Sequence, residues 1–249
     1  MKFAVPLALS LLTSSVMATS LDIYDASRER NIPITVDFPV QKDLCTTNNK
    51  CKVAFVSADY KVPYLKYQLM VQNLNEMGYL TVAVDHELPN DPPLSKKGDL
   101  YQTRIENWKR GAETLDFLQS NISLSYPEYN FQNILLVGHS NGGDISAWLA
   151  SENKSYISKI ITLDHRRVAL PKTAKIQVLS IRATEYPTVA SALLTEKEQS
   201  KYHSCIVEIE NSKHMDLTDY GSEKVMNKVR LITKGFLSGE SCTKLKQQA

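Results

Sequence analysis

Gly138-His139-Ser140-Asn141-Gly142-Gly143 gathers three of the chain's nine glycines around one serine. The apolar run Asn133–Val137 before it is of strand type, and Ile145–Ala150 after it places apolar side chains at helical spacing. Strand, Gly-x-Ser-x-Gly and helix together form the context of a nucleophile elbow, a sharp turn that lifts the serine hydroxyl above the end of a sheet. Gly138 and Gly142 lack a Cβ, so strand and helix can approach each other closely on either side of Ser140. A Gly/Ser turn with Ser140 as a plain helix N-cap is the simpler alternative. The flanking elements favour a nucleophile.

A serine hydroxyl needs a neighbouring imidazole to take its proton. Of the five histidines, His139 is expected to point away from the elbow, His203 precedes a strand, and His165 directly follows an acidic candidate. His214 lies in Asn211-Ser212-Lys213-His214-Met215-Asp216, after the last strand-like run, where the general base belongs when the chain order is serine, acid, histidine. His86 is the rival, at the carboxyl end of a parallel strand where ligand groups gather. Two carboxylates could orient the imidazole and stabilise its cation. Asp164 ends the strand Ile160–Leu163, and Glu185 follows the strand that ends at Ile181. Either could instead be a carboxylate paired with Arg166, Arg167 or Arg182. The N–H of Asn141, next after the serine, is one candidate donor to a developing oxyanion.

These residues must be carried by a sheet. Leu21–Tyr24 and Ile32–Phe38 read as an antiparallel hairpin at its edge. Lys52–Ser57 is the first buried strand. A helix over Tyr64–Met77 is closed by Gly78, and Tyr79–Val84 is the next strand. Glu87–Asp99 is a loop punctuated by Pro89, Pro92 and Pro93. Tyr101–Leu118 returns to helix. Beyond the elbow, Ile157–Leu163 and Ile176–Ile181 are strands separated only by Asp164–Lys175, too short for a cap domain. Thr195-Glu196-Lys197-Glu198 is a capping box, Ser204–Ile209 is the last strand, and Ser222–Leu237 the closing helix. Alternating strands and helices predict one α/β domain over residues 19–249, with a mostly parallel, doubly wound sheet.

Gly138-His139-Ser140-Asn141-Gly142-Gly143, Leu163-Asp164, Thr184-Glu185-Tyr186, and His214 ahead of Asp219-Tyr220 resemble secreted-type platelet-activating factor acetylhydrolase, a branch of the α/β-hydrolases. Val82-Ala83-Val84-Asp85-His86 fits the same pattern, and the resemblance runs from about Val53 to Tyr220. It implies the α/β-hydrolase fold and places the triad acid after the strand that follows the elbow helix. The triad is then Ser140, His214 and Asp164, with Glu185 as the other acid. It also implies Tyr60 as the second oxyanion donor. The chain departs from that family at Asp59, where relatives carry glycine, and a carboxylate there opposes catalysis unless it points away. The chain is similar as well to bacterial exported dienelactone-hydrolase-like esterases, whose usual nucleophile is cysteine, so their chemistry does not carry over to Ser140.

With 249 residues, 43% of them hydrophobic, the chain can bury one large core. A formal charge of +2 argues against a nucleic-acid binder relying on a basic face. Met1-Lys2, an apolar run to Met17, and small residues at Val16 and Ala18 predict a signal peptide over residues 1–18 and a secreted or periplasmic protein. That run is shorter than the ~20 apolar residues of a membrane span. Export suits disulfides, expected as Cys45–Cys51 and Cys205–Cys242. The reading is an exported serine hydrolase for a small ester or lipid-like substrate, short acyl groups preferred, with no metal or cofactor required. An amidase or peptidase, or an inactive binding protein of the same fold, are its alternatives.

Overall fold

The computed structural model describes residues 18–249; the expected leader, apart from Ala18, lies outside the described residues. Eight strands form one sheet in the order β1-β2-β4-β3-β5-β6-β7-β8. They are β1 (Ala18–Asp25), β2 (Arg30–Asp37), β3 (Cys51–Ser57), β4 (Tyr79–Val84), β5 (Tyr129–His139), β6 (Ile157–Leu163), β7 (Gln177–Ala183) and β8 (Cys205–Ile209). β1 and β2 form an antiparallel hairpin at one edge, and β2 runs antiparallel to β4. All remaining pairs are parallel. The helices are α1 (Gln68–Glu76), α2 (Ile105–Ser125), α3 (Asn141–Ser151), α4 (Glu196–Tyr202), α5 (Glu223–Leu237) and α6 (Cys242–Gln247).

Successive side chains of a strand point to opposite faces, and β5 splits its apolar run accordingly. Ile134 and Leu136 join Phe55, Val82, Trp108 and Leu115 under α2 and α3. Leu135 and Val137 join Tyr67, Leu74, Val207 and Ile232 under α1 and α5. A sheet covered on both faces needs such continuously apolar strands.

The expected elements recur with shifted ends. α1 starts at Gln68 rather than Tyr64, because its first turn is capped from far away. The Asp219 carboxylate accepts the N–H groups of Gln68 (2.7 Å) and Leu69 (3.1 Å), satisfying donors that a helix start leaves without partners. β5 is longer than expected, and α6 is additional; six residues are too few to show a helical period. Its place is set by the Cys205–Cys242 disulfide, which ties it to β8, while Cys45–Cys51 closes the loop before β3. The Thr195/Glu198 capping box is present on α4. Between β6 and β7 there is neither helix nor strand, hence no cap domain. No helix among the described residues is long and apolar enough to cross a membrane.

Register decides which loops meet. Ser57 of β3 lies beside Gly138 of β5, and His139 beside Leu163 of β6. The loops after β3, β5 and β6 therefore emerge side by side at the carboxyl end of the sheet. There the strand order reverses between β3 and β5, opening the crevice in which doubly wound sheets bind ligands.

Candidate active site

Ser140 sits between β5 and α3 with φ 49° and ψ −113°, a backbone conformation that a side-chain-bearing residue adopts only when its surroundings hold it there. The hold is close packing. A Cβ on Gly138 would lie 2.2 Å from the Gly142 carbonyl oxygen, and one on Gly142 would lie 2.3 Å from that of Ser57. The Ser140 N–H donates to the Leu163 carbonyl at 2.8 Å, completing the elbow.

His214 enters from the loop after β8. Its Nδ1 lies 2.5 Å from Oδ2 of Asp164, whose other oxygen takes Arg182 Nη2 at 2.6 Å and the Ala183 N–H at 3.3 Å. Burial alone would raise the Asp164 carboxyl, but the hydrogen bond with His214 and the Arg182 charge outweigh it and hold the group below the ordinary carboxylate range. Glu185 acts elsewhere: its Oε2 accepts the backbone N–H of His214 at 2.8 Å, so it fixes the loop and not the ring.

His139 does not point away from the site. Its ring packs on that of His214 with centroids 4.6 Å apart. Nε2 lies 3.1 Å from the His214 carbonyl oxygen, which can only accept, so Nε2 carries the proton. Nδ1 must then accept the Tyr67 hydroxyl at 2.9 Å, and that hydroxyl in turn accepts the Asp59 N–H at 3.0 Å. Burial, then the neighbouring His214 charge, pull the His139 pKa down to about 4 and keep the ring neutral. Asp59, His139 and His214 bring ligand-type atoms within 4.8 Å of one another. The one lone pair of neutral His139 is already spent on Tyr67, so the trio is a hydrogen-bond network unsuited to chelation.

The Asn141 side chain is clamped, its Oδ1 by Trp108 Nε1 (3.0 Å) and its Nδ2 by Asn107 Oδ1 (2.9 Å), which fixes the orientation of its backbone N–H. That N–H and the N–H of Tyr60 converge, but the space in front of them is filled. Asp59 Oδ1 accepts both, at 3.2 Å from Asn141 and 2.7 Å from Tyr60. Its Oδ2 stands 3.4 Å from His214 Nε2, and the Ser140 hydroxyl faces the same carboxylate. Among the described residues Ser140 Oγ makes no hydrogen bond to His214. The Asp59 carboxylate thus points into the site, contrary to what catalysis asks of it. Burial opposes the His214 cation, yet the hydrogen bonds and charges of Asp164 and Asp59 push its pKa up to about 9.

His86 is not part of this cluster. It is buried beneath, with Nε2 2.9 Å from Ser57 Oγ, and burial followed by the charges of Arg30 and Arg110 drives its pKa down to about 3. Sequence reading missed Asp144, one helical turn after Ser140, whose Oδ1 accepts the N–H groups of Arg166 (3.2 Å), Arg167 (2.8 Å) and Val168 (2.9 Å). It pins the chain that leaves Asp164. An acidic residue in the first turn of the elbow helix is the available signal.

No family model and no curated protein matches this chain. Solved structures do. A predicted CIB-like hydrolase from Thermoplasma acidophilum is 18% identical over 90% of this chain and 99% of its own, with a TM-score of 0.62. A ferulic acid esterase from Streptomyces cinnamoneus is 14% identical over 93% and 90%, TM-score 0.62. The chain has the α/β-hydrolase fold. A dienelactone hydrolase from Anabaena variabilis, 12% identical over 90% and 99% with a TM-score of 0.57, shares it. At such identities the likeness concerns the fold, and the chemistry has to be argued from the residues.

Proposed function

We propose that this protein is an exported serine hydrolase that cleaves carboxylic esters through an acyl-enzyme. Ser140 attacks the acyl carbon, His214 takes its proton and returns it to the leaving alcohol, and Asp164 holds the imidazole in its tautomer. The N–H groups of Asn141 and Tyr60 stabilise the oxyanion, and water on the acyl-enzyme repeats the sequence. The observation that carries the reading is Ser140 on a strained elbow beside a histidine whose far nitrogen is held 2.5 Å from a buried carboxylate. Fold neighbours described as esterases lean the same way. Two disulfides suit an oxidising compartment. Amide substrates would use the same acyl-enzyme route.

Substrate would enter along Glu87–Asp99. That loop is anchored by Asp91 on Arg30 (2.5 Å), by the Leu94 N–H on the Tyr60 hydroxyl (3.1 Å), and by the Ser95 carbonyl on Arg104 Nε (2.9 Å). A pinned rim without a cap domain suits short acyl groups, since a long chain needs an apolar wall to gain ~0.8 kcal/mol per buried methylene. An acyl-length optimum at about ten carbons or beyond in p-nitrophenyl esters would reject this part of the proposal.

One observation favours a second reading: an inactive binding protein of this fold could keep Asp59 in the donor pair permanently. Labelling with a fluorophosphonate separates the two. The hydrolase reacts at Ser140, and Ser140→Ala abolishes both labelling and turnover, by ~10³-fold or more. A chain inert to the probe under all conditions is the binding protein.

A further inference from the structure

We infer that Asp59 is a built-in occupant of the oxyanion hole, so that the resting site is closed to an acyl carbonyl and becomes competent only when this side chain swings out. The inference rests on the serine-hydrolase reading above. It concerns what that site does between turnovers.

Each backbone N–H has one proton to give. Those of Tyr60 and Asn141 both give it to Asp59 Oδ1, so the carbonyl oxygen of an incoming ester finds neither donor free. The second carboxylate oxygen faces His214 Nε2 at 3.4 Å, the atom that must accept the Ser140 proton. The carboxylate therefore stands where the acid product of an ester would stand, on the same two donors and against the same serine and histidine. Exclusion is steric and electrostatic together: the position is filled, and the filling group carries the charge that the oxyanion would carry.

The same contact disarms the base. His214 is faced by Asp164 from the loop after β6, by Asp59 from the loop after β3, by neutral His139 from β5, and by Glu185 after β7, which takes its backbone N–H; Arg182 of β7 offsets Asp164. Two carboxylates on one imidazole push its pKa to about 9. At neutral pH the ring is an imidazolium, able to donate but not to accept. When Asp59 leaves, its share of that stabilisation goes with it, the Nε2 proton passes to solvent, and the ring becomes the base that Ser140 needs. The Nε2–H bond breaks and its electron pair stays on the ring as the proton goes to water; no bond between heavy atoms changes in this step.

The route out is open. The Asp59 side chain is 15% exposed, against 0% for Asp164. Its own N–H is held by the buried Tyr67 hydroxyl, so the backbone stays while the side chain rotates. Arg104 and Arg167 lie within electrostatic reach of the carboxylate, and neither has an ion-pair partner among the described residues. They offer the displaced charge a place to go. After deacylation the returning carboxylate would expel the acid product from the donors they share, making Asp59 a guard against product inhibition as well.

The test measures second-order fluorophosphonate labelling of Ser140, by intact mass, from about pH 6 to about pH 10. Wild type, Asp59→Ala and Asp59→Asn are compared as full-length exported protein. Wild type should label slowly near neutrality and gain about tenfold per pH unit until it levels near pH 9. Asp59→Ala should label at least ~10-fold faster at pH 7, because both the filled hole and the charged partner are gone, and should level off at least about one pH unit lower. Asp59→Asn keeps the volume but loses the charge, so its profile shifts like that of Asp59→Ala while its plateau stays lower. Should Asp59→Ala fail to fold, the Asn profile decides. Wild type labelled at Ser140 as fast as either variant, with an unshifted profile, overturns the inference and leaves the serine hydrolase standing. Ser140 unlabelled in all three proteins overturns both.

Discussion

Two carboxylates meet the His214 ring from opposite sides, and their surroundings make them opposites in effect. Asp164, on Nδ1, is wholly buried and locked by Arg182 and the Ala183 N–H. It cannot leave, and it is placed to orient and charge-balance the imidazole through every step. Asp59, on the Nε2 side, is partly exposed and held through backbone donors that a substrate would also want. On the proposed mechanism one carboxylate supports the base, and the other competes with the reaction. Neighbouring charge has the same sign in both cases; which nitrogen it meets, and whether it can move, decides what it does.

The comparison breaks first at the acid. Asp164→Asn should lower kcat/KM for a short ester by ~10⁴-fold through the wrong histidine tautomer, with Glu185→Gln costing far less because Glu185 holds only backbone. The reverse ranking in steady-state kinetics would make Glu185 the orienting group.

Next comes the lock on that acid. Arg182→Gln leaves the fully buried Asp164 charge without its guanidinium partner, a loss of about 3 kcal/mol in unfolding free energy. A denaturant titration within about 1 kcal/mol of wild type would mean that water replaces the guanidinium there.

On the other side, Tyr67→Phe removes the hydroxyl that joins the Asp59 N–H to His139 Nδ1. One buried and one partly buried polar group lose a partner, at a cost of ~2 kcal/mol by the same titration. The variant should also label faster with fluorophosphonate, since Asp59 is then less firmly placed. Labelling at the wild-type rate would show that the side chain is positioned by its acceptor contacts alone.

A last check, on stability and not on rate, is its pH dependence. The pKa of His214 is about 9 in the folded protein, against ~6.5 unfolded. A raised folded pKa contributes stability that is complete below ~6.5 and disappears as pH rises through about 9. Tm should therefore fall across that window, and His214→Gln should flatten the fall; a wild-type Tm that is level or rising there contradicts the imidazolium.

Local pattern was enough for the architecture. Short apolar runs mark the strands, glycines and prolines the loops between elements, and a connection of a dozen residues leaves no room for a cap. The ends of elements were less legible wherever their partners are distant in sequence. α1 begins where Asp219 caps it, and α6 is placed by a disulfide to β8. For the site, sequence could place Ser140 on its turn, nominate His214 and both acids in loops at one end of the sheet, and flag Asp59 as out of place. Directions of side chains were beyond it. That Glu185 takes a backbone N–H, that His139 turns inward onto His214, and that Asp59 reaches into its neighbours' donors follow from the register β3-β5-β6-β7-β8. Strand pairing brings loops together from across the chain, and the single rotamer that satisfies buried hydrogen bonds there depends on all of them at once.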